Sequence, residues 1–204
     1  AESSTINPGL TSFLPSLKAG GVGGGVVINN LAYLCGGGGG YRSYFYIVDV
    51  SNPTTPVLRG SYDTANANGC QDVAVSGNYA YVIGASLRIV NISNPASPAL
   101  VSTYAVQGSH IALSGNYAYI PYGQTLTSVN ISNPAAPSIA GIFSTLAGSS
   151  LNDIAIAGSY AYVGDVGNFG DGAGLRVIDI SNPASMTQIG RSSTVCNSLA
   201  SCIR

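Results

Sequence analysis

The sequence predicts an all-β chain made of four copies of one four-stranded unit, and three observations carry that prediction. Ser-Asn-Pro occurs four times, at 51–53, 93–95, 132–134 and 181–183, a period of roughly 40 to 50 residues. Each copy follows an apolar run ending in Asp or Asn plus Val or Ile, as at 87–92 and 175–180. Upstream of each run lies a hairpin signature, two β-branched or aromatic segments around a two-residue turn such as Gly77-Asn78. The expected fold is therefore a β-propeller of four four-stranded blades, at about 23–64, 71–106, 109–145 and 152–194. An extended arm over 1–22 precedes them, and a cysteine-containing tail follows.

The arm holds an apolar stretch, Leu10, Phe13, Leu14 and Leu17, between Pro8-Gly9 and Ala19-Gly20, and is expected to engage a neighbouring molecule. Blade one is the most divergent: Val26-Val27-Ile28, the turn Asn29-Asn30, Leu31-Ala32-Tyr33-Leu34, then 45–50. Blade two states the plan most clearly. Asp72-Val73-Ala74-Val75 reads as strand A, Tyr79-Ala80-Tyr81-Val82 as strand B, 87–92 as strand C and 99–105 as strand D. Residues 93–98 make the C-to-D connection, where Asn and Ser side chains accept turn amides and Pro removes a donor. Blade three copies this with Ile111-Ala112-Leu113, Gly115-Asn116, Tyr117-Ala118-Tyr119-Ile120 and Val129-Asn130-Ile131; blade four with Ile154-Ala155-Ile156, Gly158-Ser159, Tyr160-Ala161-Tyr162-Val163 and 175–180. The inner strands are apolar at consecutive positions, as they are when neighbouring blades cover both faces of a sheet.

The run Leu-Arg-Val-Ile-Asp-Ile-Ser-Asn-Pro at 175–183, with the Gly-Asn-Tyr-Ala-Tyr-Val hairpin at 77–82, resembles the LVIVD repeat of bacterial and archaeal β-propellers. The resemblance covers about 170 residues. It implies a propeller, frequently on an exported or surface protein, and brings no settled chemistry and no catalytic residue with it.

Composition narrows the classes of function. Hydrophobic residues make up 46% of the chain and charged residues 7%, against the roughly one quarter usual in soluble domains. No apolar run approaches the ~20 residues of a membrane helix, so membrane insertion is not expected. Seven basic and eight acidic residues leave a net charge of −1 without a basic cluster, which argues against nucleic acid. So small a net charge does little to oppose self-association, and a homo-oligomer or homopolymer is expected. The start at Ala1-Glu2-Ser3-Ser4 reads as a mature terminus left by signal-peptide removal. Four cysteines would pair in an oxidising compartment. An extracellular or cell-surface location is the expectation.

One rim collects the unusual features. Blades one and four have long B-to-C connections, at 35–43 and 164–174. Their glycines do not make a phosphate loop, because the lysine and the hydroxyl residue are missing and no helix follows. The loop aromatics Tyr41, Tyr44 and Tyr122, with Arg42, are candidates for a glycan or protein ligand. Asp165, Asn168 and Asp171 offer oxygens to calcium at a spacing unlike an EF-hand, and a flexible rim loop is the preferred reading. Cys35, Cys70, Cys196 and Cys202 all fall on this rim. Pairing Cys35 with Cys70 and Cys196 with Cys202 joins near neighbours; a bond from the tail to blade one is the alternative, and no Cys-x-x-Cys suggests zinc.

His110 stands at the start of strand A of blade three, where blades two and four have Asp72 and Asp153. In a closed ring these three would converge on the axis, as transition-metal ligands or as the lining of a solvated channel. No serine or cysteine is marked as a partner for His110, so a hydrolase triad is not argued. Asn91-Ile92-Ser93 and Asn130-Ile131-Ser132 match the glycosylation sequon, yet stand where Asp49 and Asp179 stand in the other blades, at a turn that wants an Asx acceptor. The leading expectation is a non-enzymatic, exported propeller that assembles into a filament or surface layer, without a cofactor. A monomeric binding module using the loop-rich face is second, and a metal-dependent enzyme at Asp72, His110 and Asp153 third.

Overall fold

The computed structural model describes residues 22–37, 42–65, 68–167 and 173–192. Leu10, Phe13, Leu14, Leu17, Tyr41, Asn168, Asp171, Cys196 and Cys202 lie outside them. The described residues form sixteen strands in four antiparallel sheets, each sheet keeping its strands in chain order. Blade one comprises β1 (Val22–Ile28), β2 (Leu31–Gly37), β3 (Ser43–Asp49) and β4 (Val57–Asp63). Blade two comprises β5 (Asp72–Ser76), β6 (Tyr79–Ile83), β7 (Leu87–Asn91) and β8 (Ala99–Tyr104). Blade three has β9 (Ala112–Ser114), β10 (Tyr117–Tyr122), β11 (Thr125–Asn130) and β12 (Ser138–Ser144). Blade four has β13 (Leu151–Ala157), β14 (Tyr160–Asp165), β15 (Gly174–Asp179) and β16 (Thr187–Ser192). The chain divides into two compact units, 1–106 and 107–204, each carrying two blades.

The hairpin turns are those the residues dictate. Ser76 pairs with Tyr79 around Gly77-Asn78, and Gly77 has φ +56°. Gly115 and Gly158 repeat that sign, while Asn29 and Asn30 are both positive, at 49° and 62°. A single positive first residue is the mark of a type II′ turn and two are the mark of type I′, the two turns whose twist suits a hairpin.

Each strand C ends in the same hydrogen-bonded device. The Asn91 side chain accepts the Ser93 amide at 2.9 Å, and Asn94 accepts that of Ala96 at 3.1 Å. Asn130 and Asn133, Asp179 and Asn182, and Asp49 and Asn52 make the same pairs of bonds in the other blades. Asn91 and Asn130 are thus turn acceptors. The Asp49 carboxyl is held well below its ordinary range by its Ser51 bonds and by Arg59, and the amide and side chain of Ser51's counterpart, Ser181, do the same to Asp179.

A second device joins blades. Strand D carries a bulge at one register in all four blades, beside Gly60, Ser102, Gly141 and Gly190. In the first unit the Pro95 carbonyl of blade two lies where a Cβ of Gly60 would be. In the second, the Pro183 carbonyl of blade four lies where a Cβ of Gly141 would be. The Ser128 hydroxyl donates to that Pro183 carbonyl at 2.7 Å, with the Gly141 carbonyl oxygen 3.1 Å away. The Ser-Asn-Pro turn is therefore a docking element as well as the end of a strand.

Each unit has an apolar core shared by its two blades. Tyr33, Cys35, Phe45 and Ile47 of blade one pack with Val73, Ala80, Val82 and Val90 of blade two. Tyr119 and Leu126 of blade three pack with Ile154, Val163, Ile178 and Met186 of blade four. Consecutive burial, the expectation for strand C, holds in β3, β7 and β11 but not in β15, where buried and half-buried residues alternate. Among the described residues no helix is long and apolar enough to cross a membrane.

Gly141→Val places a branched side chain against the Pro183 carbonyl, and overpacking of this kind costs about 1–3 kcal/mol. The expected outcome is a lower urea midpoint with an unchanged slope. An unchanged midpoint would show that the turn does not need the bare Cα.

Candidate functional site

The rim residues singled out from sequence are, where described, built into the framework. Cys35 lies inside β2 and is fully buried; it does not open a loop. Its sulfur is bonded to Cys70, with Cα atoms 5.1 Å apart, so the disulfide ties a central strand of blade one to the segment entering blade two. The tie closes 35 residues, a constraint worth about 4 kcal/mol on chain entropy. Tyr44 is likewise a strand residue, half-buried in β3 and stacked on Tyr46 with ring centroids 5.8 Å apart. Arg42 is exposed and pairs with Asp63. Tyr122 ends β10 and is 46% exposed.

Asp165 departs most from expectation. Its sequence reads as part of a flexible rim loop with oxygens on offer to calcium, yet it is the last residue of β14 and 1% exposed. Strand pairing extends through Gly164 because Asp165 faces Gly174 and Gly164 faces Leu175 across the ladder. Its carboxylate accepts two bonds from Arg176, at 2.8 and 2.7 Å, and the amides of Ser150 and Gly167 at 2.8 and 3.0 Å. Burial alone would push this carboxyl up; the two amides and the guanidinium outweigh it and hold the group below its ordinary range. Arg176 also donates to Ser149 Oγ at 2.9 Å and Gln188 Oε1 at 2.7 Å.

Arg88 holds the equivalent position in blade two. It is buried and donates to the carbonyls of Gly69 at 3.0 Å and Thr64 at 3.1 Å. Beneath it, Ser43 Oγ accepts the amides of Gly69 and Cys70, each at 3.0 Å, beside the Thr64 hydroxyl at 2.9 Å. Each arginine thus pins the D-to-A connection that leads into its own blade. Sequence reasoning passed over both as ordinary strand residues. The available signal was a cation inside an apolar run, at the same repeat position twice, in a chain with seven basic residues.

The axial candidates are held by their own surroundings. Asp72 accepts the Val73 amide and Asp153 the Ile154 amide, each at 2.8 Å. His110 precedes β9, and its Nδ1 lies 2.8 Å from the Asn152 carbonyl oxygen, which makes that nitrogen a donor. The adjacent Ser109 hydroxyl donates to Asn152 Oδ1 at 2.7 Å rather than to the imidazole. Among the described residues no three His, Cys, Asp or Glu side chains form a metal-binding group.

Asp165→Asn or Arg176→Met breaks a buried pair, and such losses cost about 3–5 kcal/mol. A carboxyl with a depressed folded-state value stabilises above its unfolded value, near 3.9, and that contribution fades as pH falls through the lower folded value. Acid titrations followed by circular dichroism should therefore show a shallower loss of stability below about pH 4 in Asp165→Asn than in the wild type.

The LVIVD repeat family is matched over residues 39–64, 69–106, 107–145 and 148–194. No curated protein matches the chain in sequence. Among solved structures, a protein from Lactobacillus plantarum superposes with a TM-score of 0.64 at 13% identity, over 84% of this chain and 55% of that one. The periplasmic gluconolactonase PpgL of Pseudomonas aeruginosa gives 0.66 at 13% identity, over 86% and 57%. BamB from Moraxella catarrhalis gives 0.55 at 17% identity, over 80% and 47%. The chain spans about half the length of these structures, and at such identities the likeness is one of fold alone.

Proposed function

The chain belongs to the LVIVD-repeat family, and from that premise we propose that it is an exported structural β-propeller, without catalysis of its own, that assembles with further copies through its blade edges and N-terminal arm. The product of that assembly is an extracellular filament or surface layer. One observation carries the reading: the outermost strand of every blade exposes large aliphatic side chains. Val57, Leu58, Leu100, Val101, Ile139, Ile142 and Ile189, on β4, β8, β12 and β16, are between 36% and 56% exposed. An apolar edge strand with so little charge is a template for another chain.

The Cys35–Cys70 disulfide supports an oxidising, exported setting. The engagement of Asp72, Asp153 and His110 with neighbouring backbone supports a reading without chemistry at the axis. An apolar arm carrying Leu10, Phe13, Leu14 and Leu17 is suited to lie along such an edge as an added strand.

Deleting residues 1–20 tests the arm, and Phe13→Ser with Leu14→Ser tests it without shortening the chain. Wild-type protein is expected to form polymers in negative-stain micrographs, and both variants are expected to lose them while keeping their β-sheet circular dichroism. Polymers of unchanged length in both variants would remove the arm from the mechanism.

A further inference from the structure

The two units close the same joint, the entry into their second blade, with different chemistry. In each the connection begins at a threonine that donates its amide and its hydroxyl to one carbonyl: Thr64 to that of Ser43, and Thr145 to that of Gln124. Two further repeat positions meet in the first unit as Cys35 and Cys70. Cys35 stands two residues after the buried strand B tyrosine Tyr33, as Pro121 stands two after Tyr119. Cys70 stands two residues before Asp72, as Leu151 stands two before Asp153.

In the second unit those two places hold Pro121 and Leu151, both buried, and Leu151 belongs to that unit's apolar core. The Leu151 amide donates to the Gly123 carbonyl at 2.6 Å, and the Asp165–Arg176 pair holds Ser150 and Ser149 just before it. The first unit lacks both aids. Cysteine is a smaller hydrophobe than leucine, and Arg88 is met by two carbonyls; of the ion pairs among the described residues, only Arg176–Asp165 is buried. The connection 64–71 also contains Ala65 at φ +63°, a left-handed conformation that a non-glycine residue keeps only where its surroundings impose it. Arg88 holds the Thr64 carbonyl on one side of Ala65, and the disulfide holds Cys70 on the other.

We propose that the Cys35–Cys70 bond is an oxidation-dependent latch: the joint of the first unit closes only when the two thiols are oxidised, whereas the joint of the second unit closes without a redox step. One cysteine thiolate attacks a sulfur of a disulfide oxidant, R–S–S–R, and releases the first thiolate; the other cysteine thiolate then attacks the mixed disulfide and expels the second. Two electrons pass from the cysteines to the oxidant, and the two thiol protons end on the released thiols. In a reducing compartment the connection 64–71 stays unlatched, and an oxidising compartment completes it. The latch acts whether or not the chain assembles with further copies.

Cys196→Ser with Cys202→Ser leaves Cys35–Cys70 as the one bond that the chain can form within itself. This variant is refolded in dithiothreitol or in oxidised glutathione and followed by hydrogen–deuterium exchange read by mass spectrometry. In dithiothreitol, peptides over 64–76 are expected to exchange faster by roughly a hundredfold or more, while peptides over 149–165 exchange alike in the two buffers. Equal protection of 64–76 in both buffers overturns the latch. Loss of protection over 64–76 and 149–165 together also overturns it, since the bond then supports the whole chain. Should the serine variant not fold, Cys35→Ala with Cys70→Leu decides: it brings the second unit's leucine to the joint, and 64–76 is expected to stay slow in dithiothreitol as in oxidised glutathione. Fast exchange over 64–76 in dithiothreitol alone, from a chain without either cysteine of the latch, overturns the proposal.

Discussion

A carbonyl oxygen standing where a side chain would be is the contact that joins the two blades of each unit. At Gly60 and Gly141 the strand gives up its Cβ so that the backbone of the next blade's turn can approach. The turn, for its part, is held rigid by two Asx bonds and a proline, so its carbonyl arrives already aimed. Neither half works alone. A flexible turn would lose entropy on docking, and a side chain at the glycine would displace it. The strand D bulge beside each glycine explains how the position keeps its orientation while the strand twists away.

The two buried arginines solve a different problem, the path of the chain from the outer strand of one blade back to the inner strand of the next. These connections carry backbone carbonyls and amides that no ladder satisfies. Arg88 answers with a fork of donors to Thr64 and Gly69 carbonyls, and Ser43 accepts the amides. In blade four the guanidinium is matched by a buried carboxylate, and Asp165 also accepts the amides of Ser150 and Gly167. One repeat position therefore serves two local chemistries. The other two blades carry Tyr46 and Thr127 at that position.

Much of this was legible in the residues. Gly77-Asn78 and its repeats fixed the hairpins, because a two-residue turn leaves few geometries, and the Ser-Asn-Pro period placed the strands around them. Cys35 and Cys70 are bonded to each other, and Cys35, which reads as a loop mouth, lies within β2. The errors share one cause. Glycines beside Cys35 and Asp165 read as loop, yet Gly36, Gly37 and Gly164 continue their ladders, since glycine weakens a strand without ending it when both neighbouring strands persist. Tyr44 was misplaced in the same way. The burial of Asp165 was not legible at all, because its partner Arg176 is eleven residues away and meets it only across a strand pair.

These placements bear on where a partner can bind. A rim suited to small ligands needs side chains free to adapt, and here Arg42 is tied to Asp63, Tyr44 is stacked on Tyr46, and Asp165 is enclosed. Of the described rim aromatics, Tyr122 stays open to solvent. Among the described residues, most of the large hydrophobic side chains still exposed lie instead on the outer strands β4, β8, β12 and β16. The outer strands, rather than the rim, are therefore the surface best suited to a partner.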